Sequence, residues 1–414
     1  MKTLMSYCRS NIHDADPSIL ASATIMTNNA GDFPDEGINI NFSDIVKISS
    51  RAKKSEWLII YYLAMDNNLD TDISSIINSI DVAWGEHKDK NVTIILLFDS
   101  NAIQIIDGRL ALWGIKIWCK NEEKLVTIFY NESIPSEINT ASPKLLNKFL
   151  MWIFEEEKIT AKHTVFVPIS HGAGFLGIGV DYKPSETIDV LDIMDIAQFD
   201  RALSDFHFDI IVLDACLMGM WEVARRLFDN AKYIDVSSEI MYSNIRWIEE
   251  YLNVLYENIN INSLQFAEEI TDLYFQTLDE IAGSQYSKYT DMFVIDASTL
   301  KEKSNVIDQL MLDVYLSLYR LKYDYPLVFN DFWNMLHSKP LERMGYYFDG
   351  IHDSVISKYT AYVDAYSLAM TMYEVASNLV DCGKYDSVAI EHLDFIAEKS
   401  FEIASEFLDM AVYR

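Results

Sequence analysis

The stretch from Phe208 to Asn230 constrains this chain more than any other. From Ile210 to Ala215 it is apolar except for Asp214. That run is too short for a helix and rich in β-branched residues, which predicts a buried parallel strand. After Gly219 the period changes, and Met220, Val223, Ala224, Leu227 and Phe228 fall on one helical face. Cys216 is thereby placed at the carboxyl end of a strand, in the turn that opens a helix. Open α/β sheets collect their ligands and chemistry there, and a helix N-terminus favours the thiolate.

A second stretch answers the first. His163 to Ser170 reads as another buried strand, although Pro168 cannot donate to a ladder. It ends in His171, Gly172, Ala173 and Gly174. A histidine ending one strand and a cysteine ending a later one can meet across neighbouring strands. The 45 positions from 171 to 216 leave room for one crossover.

Asp214 to Gly219, followed by Glu222, Val223 and Ala224, resembles the cysteine motif of clostripain-like peptidases. Ser170, His171, Gly172 and Gly174 resemble their histidine motif, and Met65 to Leu69 resembles their first strand-end motif. The resemblance runs from about Trp57 to Val380. It implies a caspase-like α/β fold, a mostly parallel sheet flanked by helices, with a helical C-terminal part.

Composition narrows the function classes. With 63 acidic against 33 basic residues the net charge is −30, which disfavours nucleic acid and anionic membranes and attracts basic segments. Four cysteines (Cys8, Cys119, Cys216, Cys382) show neither a CxxC pair nor metal-ligand spacing, so no disulfide framework or zinc site is expected. No apolar run reaches the roughly 18 residues of a membrane span. Arg9, His13, Asp14 and Asp16 interrupt any signal-like segment. A cytoplasmic protein is expected, although many relatives are exported.

Taken in order, residues 1–55 read as an N-terminal arm or propeptide, with a basic spot at Arg51, Lys53 and Lys54 in an exposed linker. A catalytic domain follows over 56–300, and 301–414 reads as helical packing on the core. Trp57–Ala64 predicts the first strand, Leu69–Trp84 a helical stripe, and Val92–Phe98 a second strand, together a βαβ unit. Leu110–Trp118 and Lys124–Tyr130 predict a hairpin, and Ser142 with Pro143 the start of a helix. A helix over Asp192–Leu203 is expected with Asp192 as N-cap, then strands at Tyr233–Val236 and Met292–Asp296. Relatives carry glycines after the Ser-Glu at Ser238 and Glu239; here Ile240 to Trp247 lacks them.

The expected chemistry is peptide cleavage with Cys216 as nucleophile and His171 as acid/base group. The resemblance implies the backbone N–H groups of Gly172 and Cys216 as oxyanion donors. No third member of a triad is evident. A carboxylate two positions before the nucleophile can line the pocket for the residue preceding the cut, and in the family the residue matching Asp214 binds arginine or lysine there. Calcium is used by some relatives, but no aspartate spacing matches an EF-hand, so no metal or other cofactor is assigned. Any maturation is expected to cut near residues 51–54 and to leave the 171–216 segment joined, because Pro184 protects the Lys183 bond. The alternative is a catalytically silent relative that binds partners. His171 and Cys216 together favour the enzyme; the altered loop after Glu239 favours the silent reading.

Overall fold

The computed structural model describes residues 40–128, 137–182, 191–238, 241–242, 245–283, 290–338 and 365–413. The chain divides into two compact units between Ala297 and Ser298. The first contains β1 (Lys54–Met65), α1 (Ile73–Glu86), β2 (Val92–Ile106), β3 (Arg109–Cys119) and β4 (Glu122–Ile128). Then come α2 (Pro143–Met151), β5 (Thr160–Ile169), β6 (Ile178–Tyr182), β7 (Leu191–Met194), α3 (Ile196–Leu203) and β8 (Phe208–Val212). It closes with α4 (Trp221–Leu227), β9 (Ala231–Val236), α5 (Ile245–Glu257), α6 (Ser263–Ala282) and β10 (Phe293–Asp296).

Within this unit the sheet runs β10-β9-β8-β5-β1-β2-β3-β4. The strands from β9 to β2 are mutually parallel, and the two edges are antiparallel. This is the mostly parallel, helix-flanked sheet that the sequence predicts. Both faces of the central strands are covered, which is why they read as unbroken apolar runs. On one face Trp57, Ile59, Tyr61, Ile94, Val165 and Ile210 share a core with α1, α5 and α6. On the other, Tyr62 meets Phe149 of α2, and Phe166 meets Phe199 of α3.

Pro168 sits in the central strand β5, against expectation for an interior position. Its register partner on β1 is Tyr62. On the other side the β5–β8 ladder pairs Val165 with Ile210 and Phe166 with Ile211, and β8 ends at Val212. The missing N–H therefore falls where the ladder has run out, while the Pro168 carbonyl still accepts from Asp214 N at 3.2 Å.

The start of α2 is as expected, with the Ser142 side chain accepting from Leu145 N and Pro143 opening the helix. The cap of α3 is not Asp192. Residues 191–194 pair with β6 and stay extended, so the helix starts at the next acid. Asp195 and Gln198 form a capping box. Asp192 instead accepts from Asn139 Nδ2 at 2.7 Å. The segment before β1 is also more tied down than a free linker. Ile40, Phe42, Val46, Ile48 and Ala52 are buried, and Phe42 packs on Phe149 and Trp152. Arg51, Lys53 and Lys54 expose their side chains, but Lys53 O accepts from Thr160 N, and Lys54 opens β1. The Lys183 and Pro184 pair and Glu239 lie outside the described residues.

The second unit is helical: α7 (Ala297–Asp324), α8 (Pro326–Ser338), α9 (Ala365–Asp381) and α10 (Ser387–Met410). Leu310, Val314, Phe332, Met372, Val375, Leu393 and Ile396 form its core. No helix among the described residues is long and apolar enough to cross a membrane.

One group in the sheet is energetically costly. Asp235 is 0% exposed and neither carboxyl oxygen has a hydrogen-bond partner among the described residues. Its register partners Val212 and Val294 are core residues. Burial raises its pKa well above the usual carboxyl range. The folded state holds a proton that the unfolded chain releases near pH 4, so this residue's contribution to stability is lost as pH rises toward the folded pKa. Asp235→Asn should therefore gain on the native protein by up to about 1.4 kcal/mol per pH unit above pH ~4. Urea unfolding of both proteins from pH 4 to 8 measures that difference; a constant gap across pH would show that Asp235 titrates alike folded and unfolded.

Candidate active site

The carboxyl ends of β1, β5 and β8 converge on one locus. Ser170 N donates to Asp214 O at 3.3 Å, and Ile169 bridges to Asp214 as if β5 and β8 ran one step further. His171 follows directly on one side and Cys216 on the other. The two loops touch: a Cβ on Gly172 would stand 2.2 Å from Cys216 O and 3.0 Å from Ala215 Cβ. Only glycine allows that approach. Gly174, at φ +62°, is similarly closed in by Met220.

Asn68, on the turn after β1, holds the histidine. Its Oδ1 lies 2.8 Å from His171 Nε2. An amide oxygen only accepts, so Nε2 carries the proton and Nδ1 keeps its lone pair. Burial lowers the pKa of His171, so the ring is neutral at neutral pH. The turn is itself fixed. Asn67 donates to Ala64 O at 3.1 Å and Val180 O at 2.7 Å, and accepts from Leu69 N at 2.9 Å. Ser170 Oγ donates to Ala64 O at 2.6 Å and accepts from Val180 N at 3.2 Å. In sequence the Asp66-Asn67-Asn68 run reads as a turn able to cap the next helix, which does not disclose this role. Its spacing carries no sign that a residue 103 positions away is its partner.

Cys216 is not at a helix start and is not the thiolate expected there. α4 begins only at Trp221, and Leu217 at φ +65° separates the two. The helix therefore contributes little, since its field fades within a turn. Burial raises the thiol pKa, partly offset by the Met241 N–H, which donates to Sγ at 3.4 Å; the charge of Asp214 raises it further. The thiol in turn donates to Met241 O at 3.7 Å. The pair at rest is a neutral thiol and a neutral imidazole.

Asp214 is half-buried. Its pKa is raised to about 7, first by burial and then by the charge of Asp72. The Gly172 N–H makes no hydrogen bond among the described residues. Arg51, Lys53 and Lys54 are at the far end of β1, a strand of 12 residues, or about 40 Å from this locus at ~3.3 Å per residue.

Behind the Asn67 turn lies a cluster of acidic side chains. Asp66, Asp99 and Glu137 are the residues here that could hold a metal, with one oxygen from each within 4.8 Å of the others. Burial, then neighbouring carboxylates, pushes Asp66 up to about 8. Glu137 is pushed up to about 7 for the same reasons.

A parallel α/β sheet with a cysteine and a histidine on adjoining strand ends defines a class of thiol hydrolase. The family model described as the clostripain family matches residues 61–396, more than half of the chain, and the chain belongs to that family of cysteine peptidases. Among solved structures it is similar to a secreted C11 cysteine protease from Bacteroides thetaiotaomicron in complex with an irreversible peptide inhibitor. That likeness has 20% identity and a TM-score of 0.47 and covers 63% of this chain and 71% of that one. It is also similar to an inactive zymogen C11 protease from Parabacteroides distasonis, at 18% identity and a TM-score of 0.49, over 88% and 84% of the two chains. No curated protein sequence matches the chain.

The Gly172 contact yields a direct expectation. Gly172→Ala must push the histidine loop off the Cys216 carbonyl, an overpacking that costs about 1–3 kcal/mol. Peptidase activity should fall at least tenfold while the far-ultraviolet circular dichroism of the folded protein is kept. Unchanged activity in Gly172→Ala would mean that the two loops need not touch.

Proposed function

We propose that this peptidase cleaves after arginine, and less well after lysine, through a dyad of Cys216 and His171. The observation that carries the reading is the contact of the two loops, with an acidic side chain on the wall beside it. As substrate binds, the Cys216 thiol passes its proton to His171 Nδ1, and Sγ attacks the carbonyl carbon. The N–H groups of Gly172 and Cys216 receive the oxyanion. Imidazolium then protonates the leaving amine, and water hydrolyses the acyl-enzyme with His171 again acting as base. Asn68 is a positioning residue: it keeps the ring in the tautomer whose Nδ1 can take the proton. Asp214 and Asp72 supply negative charge to a basic side chain in the pocket. Processing near Arg51, Lys53 and Lys54, if it accompanies activity, takes place between molecules, because those residues lie a strand length from Cys216.

A silent, partner-binding relative is the second reading. It is favoured by the Met241 peptide, which contacts the Cys216 sulfur through both its N–H and its carbonyl. The two are separated by incubating the protein with a peptide library and reading products by mass spectrometry. Cys216→Ala and His171→Ala should each lower hydrolysis by several orders of magnitude. No cleavage by the native protein, with or without proteolytic nicking, would support the silent reading.

The Asn68 role has its own signature. Asn68→Ala should lower kcat about 10- to 100-fold with little change in KM. Asn68→Asp should recover part of that loss and move the acid limb of kcat/KM to higher pH, since a carboxylate stabilises imidazolium. An acid limb unmoved by Asn68→Asp would show that the side chain is structural only.

Specificity should depend on pH in a defined direction. With Asp214 titrating near pH 7, the ratio of kcat/KM for arginyl over neutral substrates should fall as pH drops below that value. Asp214→Asn should abolish the pH trend and lower arginyl cleavage about 10- to 1000-fold, the equivalent of about 1.4–4 kcal/mol. If arginine preference survives in Asp214→Asn, another group sets it.

A further inference from the structure

One helix of the second unit is apolar on two opposite sides. On one side α7 buries Leu300, Ile307, Leu310, Val314 and Leu321, and the last three belong to the core shared with α8, α9 and α10. The other side changes character along its length. Lys301, Glu302, Asn305 and Gln309 are exposed in the first half, and Val306 is the one exposed apolar residue among them. In the second half the outward line is Leu312, 46% exposed, Leu316, 47%, Tyr319, 39%, and Tyr323, 55%. Steps of 4, 3 and 4 residues keep these four in one stripe, the spacing by which helices pair with helices. Leu327, 78% exposed, follows one turn later at the start of α8. A helix that is apolar on both sides is ordinarily covered on both.

The charges beside the stripe are distributed unevenly. Asp313 flanks its leucine half, and Arg320 and Lys322 flank its tyrosine half. Asp313 accepts from Gln309 Nε2 of the same helix at 2.9 Å. Arg320 is exposed and forms no ion pair among the described residues.

We propose that this stripe pairs with the same stripe of a second copy of the chain, the two helices antiparallel about a two-fold axis midway between Leu316 and Tyr319. In that register Leu316 of each copy meets Tyr319 of the other, and Leu312 meets Tyr323. Asp313 of each copy stands beside Arg320 of the other. Reversal is what makes the stripe complementary to itself, with leucine on tyrosine and acid beside base, as an isologous contact requires. The parallel arrangement loses this, because it sets Asp308 of one helix beside Asp313 of the other. The exposed parts of the stripe and Leu327 come to roughly 500 Å² per chain, so pairing buries on the order of 1,000 Å², the size of a weak and reversible interface. Association opposes the net charge of −30 on each chain, which also favours a weak dimer over a permanent one.

The test uses the full chain in about 0.15 M salt, to screen repulsion between acidic chains, and in reductant, because the Cys382 thiol is exposed. Sedimentation velocity should show monomer giving way to dimer and to nothing larger, with a dissociation constant on the order of 10 μM. Leu316→Glu and Tyr319→Glu, both at exposed positions, should each weaken association about tenfold or more and leave the circular dichroism of the monomer unchanged. Asp313→Arg alone and Arg320→Asp alone should each weaken it about 3- to 30-fold, since two like-charge contacts replace two ion pairs. An equimolar mixture of those two variants should associate as well as the native chain, because each supplies the charge the other lacks. Hydrogen exchange needs no variant: amides of residues 309–323 should exchange more slowly at about 200 μM than at about 1 μM. A native chain that stays monomeric to about 200 μM would overturn the proposal, and would leave the stripe to residues outside the described ones or to a different protein. A dimer that survives Leu316→Glu and Tyr319→Glu would overturn it by placing the interface elsewhere. Failure of the mixed variants to associate would overturn the antiparallel pairing, and growth past the dimer would show nonspecific adhesion in its place. Should a variant fail to fold, the concentration dependence and the exchange of the native chain still decide. None of these measurements reads peptidase activity, so the outcome is separate from that of the dyad.

Discussion

The site depends on β5 and β8 running side by side and ending at the same level. That pairing is short, with Val165 opposite Ile210 and Phe166 opposite Ile211. Beyond it the two chains are held by hydrogen bonds from Ser170 N to Asp214 O and from Asp214 N to Pro168 O, and the Ser170 hydroxyl ties β5 to the end of β1 by donating to Ala64 O. Small residues then allow what the ladder no longer enforces. Gly172 lies against the Cys216 carbonyl, and a Cβ on Gly219 would stand 2.6 Å from Ser238 N. Backbone packed against backbone leaves little slack, and this fits a pair of groups whose reactivity depends on sub-ångström placement.

The two ends of the sheet treat charge differently. At the amino end Asp209 accepts from Thr164 N at 2.9 Å and pairs with Lys232. That is an ordinary, satisfied structural group. At the carboxyl end Asp66, Asp99, Asp181 and Asp214 are all raised, and none has a basic partner among the described residues. Such an imbalance costs stability. It persists most readily where a ligand, substrate or ion completes the neutralisation.

Much of this was legible in the sequence because parallel strands covered on both faces read as apolar runs ended by polar or glycine residues. β1, β5, β8 and β9 fall where those runs fall, and Ser142 with Pro143 marks α2. What failed was local competition. Asp192 and Asp195 are both plausible caps, and only pairing of residues 191–194 with β6 decides between them. β2 continues eight residues past the expected Phe98, to Ile106, because β3 folds back upon it. The thiolate expectation failed because the half-buried Cys216 thiol is desolvated and α4 begins only at Trp221, after Leu217 turns the chain at φ +65°. Asn68 was invisible for a different reason: its partner is set by the meeting of β1 and β5, which no local pattern encodes.

The neutral resting pair also bears on how a basic substrate would be used in the proposed site. Transfer of the thiol proton to His171 creates charge in a desolvated place, and the Asp214 carboxylate opposes the thiolate there. An arginine seated against Asp214 cancels that opposing field. Its binding energy is then expressed in the ionisation step as well as in holding the substrate, so it acts on kcat as well as KM. A neutral residue in the same pocket leaves Asp214 to repel the forming thiolate, or leaves it protonated below about pH 7. In the proposed mechanism, selectivity for basic residues and activation of the nucleophile would thus be one electrostatic effect, exerted by the Asp214 charge that already acts on the Cys216 thiol.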